Sequence, residues 1–264
     1  MISTRTATAV VIIGAAACGG RASTDTAQPL PRTSGPRVQW RDNAFVTDGF
    51  PAVARSGQIV VVALRENDAG RGFPNLRIEI RDRTDRATAA PAVAGAPAPS
   101  LPEQSTSTSA ANAFDVLNSN EYETLAPAGE ATAALHRRIT AANVALDNLH
   151  AAYDLVAMTP LELQRASDNT DPNLAIGNGI AVQWRGDRLE VSRPPSANVV
   201  TSRDARPWLI PPQPSCAQCA PCENPAFLGA VYYAAPIRVV VAQIRYRGTD
   251  ACWEPSDQFH VVAW

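Results

Sequence analysis

Cys216, Cys219 and Cys222 stand at three-residue spacing in SCAQCAPCENP, and Cys252 follows in GTDACWEP. Four thiolates in such an arrangement can hold a structural zinc ion, begin an iron–sulfur run, or close two disulfides. An iron–sulfur run calls for a fourth cysteine followed by proline close behind, whereas Glu223, Asn224 and Pro225 come next here. A C-x-x-C pair can also exchange thiols, but such pairs sit at a helix start in a thioredoxin-like pattern. Proline and polar residues surround this one. A structural role for the cysteines is the better reading.

The chain has three histidines, His136, His150 and His260. His136 and His150 lie fourteen residues apart in a helical pattern, roughly 21 Å along the axis at about 1.5 Å per residue, too far to share a metal. His260 lies near Asp250, Glu254, Ser256 and Asp257 in sequence and can be read as the base of a hydrolytic site. No G-x-S-x-G elbow accompanies it, and a strand histidine satisfied within the fold is the plainer reading. The acidic strings REND and DRTDR lack the D-x-[DN]-x-[DN]-G order of a calcium loop. No cofactor, metal or catalytic set is therefore expected.

The amino terminus carries an address. MISTRTATAVVIIGAAACGG has one positive charge at Arg5, an apolar run from Ala9 to Ala17, and small residues ending at Cys18. The run is far shorter than the ~20 residues of a membrane span and has the form of a secretory signal peptide. Ala15, Ala16 and Ala17 before Cys18 resemble the lipobox of bacterial lipoproteins, with Ala15 where leucine usually stands. That resemblance implies cleavage after residue 17, a palmitate-type lipid on Cys18 and attachment to a membrane. With Gly19 and Gly20 following, it also implies the outer membrane; ordinary cleavage to a soluble periplasmic or secreted chain is the alternative. Residues 19–36 are small, polar and proline-bearing, and read as a tether from the lipid.

Export places the remaining cysteines in an oxidising compartment. Disulfides among Cys216, Cys219, Cys222 and Cys252 become the expected state, with a four-thiolate zinc site as the alternative. A Cys222–Cys252 bond would fasten the strand formers between them, with Cys216 and Cys219 as a small local ring; the pairing is open.

Several elements can be read behind these residues. GQIVVVAL (57–64) is a β-branched run that suits a central strand, and LRIEIRD (76–82) alternates as a half-exposed strand. The stretch 48–82 resembles one blade of the WD40-like propeller repeats of exported bacterial proteins. The chain has no room for the four or more blades that a closed propeller needs, so a propeller is not expected. VQWR at 38–41 recurs at 182–185, a match too short to establish a repeat. Residues 87–112 hold a single charge, Glu103, and four prolines, and read as a disordered insertion. Leu135, Ile139, Ala142, Leu146, Leu149, Tyr153 and Val156 recur at helical spacing and predict one long helix packed within the chain. Thr159, Pro160 and Glu162 have the form of a capping box opening a short second helix. Strands are expected at 180–184, 188–192, 237–246 and 258–264, with Arg185–Asp187 as a hairpin turn.

All 23 basic residues are arginine, the net charge is −2 and the sequence pI is near 5.9. Such a chain has no basic field for a nucleic-acid backbone, and nucleic acid is not an expected partner. The sequence reads as a signal peptide (1–17), a lipidated tether (18–36) and one α+β domain (37–264): antiparallel sheets, one long helix, one short helix and disulfide-clipped carboxyl-terminal strands. The function it suggests is a binding or structural module of the cell envelope, meeting an envelope protein or glycan. The alternative is an exported hydrolase or thiol-redox enzyme working through His260 or Cys216, Cys219 and Cys222.

Overall fold

The structure, a computed structural model, describes residues 34–66, 72–85, 113–125, 131–165, 167, 170–193, 198–210, 213–214, 221–222, 224–247 and 255–264. The chain opens with a hairpin of β1 (Arg37–Arg41) and β2 (Ala44–Asp48). Asp42 and Asn43, both at positive φ, form its two-residue turn, the geometry that matches the twist of paired strands. Then come β3 (Ala52–Ala54), β4 (Ile59–Leu64), β5 (Leu76–Asp82) and β6 (Ala113–Leu117), followed by α1 (Ser119–Leu125) and α2 (Ala131–Tyr153). Asn118 caps α1 by accepting the Glu121 amide at 2.9 Å, as short polar residues do at helix starts.

Beyond the helices lie β7 (Leu155–Ala157), β8 (Thr159–Pro160), β9 (Glu162–Gln164), β10 (Leu174–Gly177), β11 (Ile180–Trp184), β12 (Arg188–Arg193) and β13 (Asn198–Asp204). A 3-10 turn at Arg206–Trp208 follows β13. The remaining strands are β14 (Gln213–Pro214), β15 (Pro221–Cys222), β16 (Ala226–Ala234), β17 (Val239–Tyr246) and β18 (Gln258–Ala263).

The strands form three main antiparallel sheets, ordered β6-β5-β4-β3-β7, β18-β17-β16-β8 and β13-β12-β11-β10-β9. The first two pack face to face around Val53, Val60, Val62, Leu64, Val156 and Met158 from one and Ala234, Val239, Val241, Phe259 and Val261 from the other. Alternation along each strand sends the intervening side chains the opposite way. Ile59, Val61, Leu76, Ile78 and Ile80 meet Leu135, Ala142, Leu146 and Leu149 of α2 and Val38 and Phe45 of the hairpin. Val240, Ala242, Ile244 and Tyr246 meet Val182, Trp184, Leu189 and Val191 of the third sheet. The result is four layers, helix and hairpin, sheet, sheet, sheet, an α+β fold of antiparallel sheets with one long and one short helix.

The recurring strings hold matching places in this stack. VQWR precedes a hairpin turn in both copies, and Val38 and Val182 are both buried, in the cores on the outer sides of the two central sheets. VVVA occurs at 60–63 and again at 239–242. In each copy the first and third valines face the shared central core and the second faces outward. Each copy is also the middle of a three-strand meander, β3-β4-β5 or β16-β17-β18, extended on its first strand by β7 or β8. The central sandwich is thus two like halves facing each other.

Asn143 of α2 ties the hairpin down. It accepts the Val38 amide and donates to the Val38 carbonyl, both at 2.9 Å, and Arg37 pairs with Asp147 at 2.6 Å nearby. Asn143→Ala leaves both main-chain groups without their partner and is expected to cost about 1–3 kcal/mol, read from urea unfolding of the variant against the wild type.

Two expectations are corrected. Thr159, Pro160 and Glu162 do not open a helix. Thr159 and Pro160 lie opposite Tyr233 and Tyr232 of β16, and the Leu161 amide donates to the Val231 carbonyl at 2.8 Å. The long-range pairing and the burial of Leu161 outweigh the local capping signal. The short helix is instead α1. Val156 is not on the helical stripe either: α2 stops at Tyr153, Asp154 turns at φ +49° and Val156 enters the central core from β7.

Cys18, the signal peptide and residues 87–112 lie outside the described residues. So do Cys216, Cys219 and Cys252 and the side chain of Cys222, whose backbone pairs with Gln213. No disulfide is found among the described residues, and the clip on the carboxyl-terminal strands is unsupported. No helix among them is long and apolar enough to cross a membrane.

Candidate functional site

β18 is the edge strand of its sheet, and an edge presents main-chain donors and acceptors with no strand to take them. Here they meet charged side chains brought from two other sheets. Asp85, just past β5, accepts the Val261 amide at 2.9 Å through Oδ1. Arg81 of β5 donates to the Phe259 carbonyl, and Arg203 of β13 donates to the Val261 carbonyl at 2.7 Å.

The same carboxylate holds His260. Asp85 Oδ2 lies 3.0 Å from His260 Nδ1, with Arg81 3.0 Å from Oδ1 and Arg203 3.7 Å from Oδ2. Burial opposes the charge on Asp85, but the His260 hydrogen bond, the electrostatic pull of the ring and of the Arg81 guanidinium and the Val261 amide outweigh it and hold the carboxyl below its usual range. An ionised carboxylate only accepts, so the ring donates from Nδ1. Burial pushes the His260 imidazole down; Asp85 works against that, while Arg81 and Arg203 add to it. The ring is neutral at neutral pH.

Trp208 closes the pocket. Its ring stacks on His260 with centroids 3.8 Å apart and planes 7° from parallel, and the Arg203 guanidinium lies 4.8 Å from the indole centroid. His260 is 4% exposed, and Nε2 has no hydrogen-bond partner among the described residues. The arrangement has the histidine and carboxylate of a proton-transfer pair, with the free ring nitrogen buried and the indole stacked over the ring face. What the geometry does is join three sheets through one side chain.

A second cluster opens to solvent. The charged side chains of β5, on its face toward the second sheet, meet the start of β18 along a groove of about 220 Å³ lined by Arg65, Glu66, Arg77, Glu79, Arg81 and Asp257, among others. Arg77 lies 3.7, 3.3 and 3.7 Å from Glu66, Glu79 and Asp115. Burial, then the neighbouring Asp115 and Glu79, push the Glu66 carboxyl up against the pull of Arg77. Burial likewise raises Asp257, against Arg245 and Gln243. The groove presents both charges side by side, suited to a polar partner rather than an apolar one. Among the described residues no group of three histidine, cysteine or acidic side chains is placed to hold a metal.

Sequence reading looked for partners of His260 among Asp250, Glu254, Ser256 and Asp257, close along the chain. The partner is Asp85, 175 residues away, in a string examined only as a calcium loop. The signal was an aspartate just beyond an alternating strand, and only the stacking of the sheets gives it meaning. His136 is exposed and His150 half-buried on α2, each apart from this cluster.

No protein-family model matches the chain, and no curated protein or solved structure matches it significantly.

Proposed function

We propose that this chain is an exported protein, anchored to the envelope by lipid on Cys18, that works as a binding or structural module rather than as an enzyme. The observation that carries the second half of this reading is the use made of the His260–Asp85 pair. Both carboxylate oxygens and the ring are committed to the edge of β18 beneath Trp208. The mixed-charge groove beside β5 would then be the face that meets an envelope protein or glycan, by hydrogen bonds and charge pairs of the kind its arginines and carboxylates already make with each other.

The first half rests on the amino-terminal string and is tested directly. In bacteria fed an alkyne fatty acid, the full-length chain should take up label and fractionate with membranes, and Cys18→Ser should do neither. Equal labelling of both chains, or a soluble wild type, would overturn the anchor.

A further inference from the structure

Asp85 is a single carboxylate facing two guanidiniums, Arg81 and Arg203, and it already accepts from the ring and from the Val261 amide. Across the strand from His260 stands Ala242 of β17, which brings no charge. The charged groups shown facing the ring are therefore Asp85 and Arg81 from the first sheet and Arg203 from the third, with the neutral indole of Trp208 over its face. A second proton on the ring would place an N–H at Nε2, where the neutral ring has no partner among the described residues. It would also put a third cation beside Arg81 and Arg203, where Asp85 and the Glu79 carboxylate 2.6 Å from Arg81 already balance the two guanidiniums.

We propose that His260 is an acid-released latch, in which a proton on its ring drives Trp208 and the clasping side chains away from β18 and uncovers that edge strand. The moving part is short, and Trp208, Leu209 and Ile210 rest partly buried against the core between the second and third sheets. Trp208 sits in a 3-10 turn at the end of β13, itself the outer strand of its sheet. The turn is fixed by the Ala205 amide on the Asp187 carbonyl at 2.7 Å and by the Tyr246 hydroxyl on the Trp208 carbonyl at 3.3 Å. Opening lets the imidazolium reach water, while the folded latch holds the ring neutral, so acid shifts the population toward the open form.

The sign follows from linkage. The ring in its open, hydrated form takes its proton near the ordinary 6.5, whereas the closed form resists until a lower pH. Closure is at full strength above 6.5 and weakens as pH falls from there toward the folded value.

The test uses the mature exported protein and side-chain nuclear magnetic resonance of its three histidines, assigned with His136→Gln and His150→Gln. The His260 ring should titrate below the ordinary 6.5. As it does so, amide exchange at Val261, corrected for intrinsic rate, should rise about tenfold or more. Tryptophan emission should change in the same step, and Trp208→Phe should remove that change. A His260 ring that titrates at or above 6.5 would overturn the latch. So would steady protection of Val261 through the His260 titration, a result readable in the wild type with no dependence on how a His260 variant folds.

Discussion

Asp85→Ala is expected to lower the stability of the folded chain by about 3–5 kcal/mol, read from the urea midpoint at neutral pH. Removing one member of a buried charged set costs on this order because its partners stay behind without compensation. Here the His260 ring and the Val261 amide lose their acceptor and both guanidiniums lose a carboxylate, although Arg81 keeps Glu79 at 2.6 Å. Asp85→Asn keeps the shape and one acceptor oxygen, and should lose clearly less than the alanine variant. A loss below about 1 kcal/mol for alanine would place the junction among ordinary surface pairs. The acid limb gives a second reading. Because the folded carboxyl is held below 3.8, its contribution is present above that pH and disappears as pH falls through the folded value. The alanine variant should lack that part of the acid limb while keeping the general decline from other carboxylates.

The second large effect falls on the two like halves. Trp184 is 4% exposed, fills the core between the second and third sheets and donates its indole N–H to the Ala226 carbonyl at 2.9 Å. Trp184→Ala removes the ring, leaves a cavity and strands that carbonyl, at an expected cost of about 3–5 kcal/mol. Trp40 holds the matching place in the first VQWR but is only half-buried, resting edge-on against Phe45 at 5.1 Å. Trp40→Ala should cost about 1–2 kcal/mol. Equal losses in paired calorimetric scans would contradict the asymmetry between a hairpin lying on a helix and a full sheet lying on a sheet.

These contrasts mark where the sequence could be read and where it could not. The alternation of LRIEIRD is a local signal, and β5 matches it residue for residue, with Leu76, Ile78 and Ile80 inward. The stripe on α2 was equally plain from Leu135 to Leu149. Its end was hidden, because a left-handed aspartate at 154 closes the helix where glycine would have announced it. TPLE misled for a different reason: the proline and glutamate that favour a helix start lie beside a β16 edge that no local window contains. The hairpin at 37–48 was missed although Asp42-Asn43 is sound turn chemistry, since its strands show only a weak alternation. His260 was noticed from residue type alone. Its partner could not be, because Asp85 becomes its neighbour only when two sheets stack.

Met158 is the one residue between β7 and β8, and it stands where the chain leaves one central sheet and enters the other. As the chain is made, the first meander comes early, yet Ala52 must wait for Ala157 before its sheet is closed on that side. Thr159 then waits for Tyr233 before β8 has a partner. Both intervals leave a strand margin bare during synthesis, and both are ended by contacts far apart along the chain, the kind that form slowly. Each central sheet is therefore completed only by a pairing with a strand made much later in the chain.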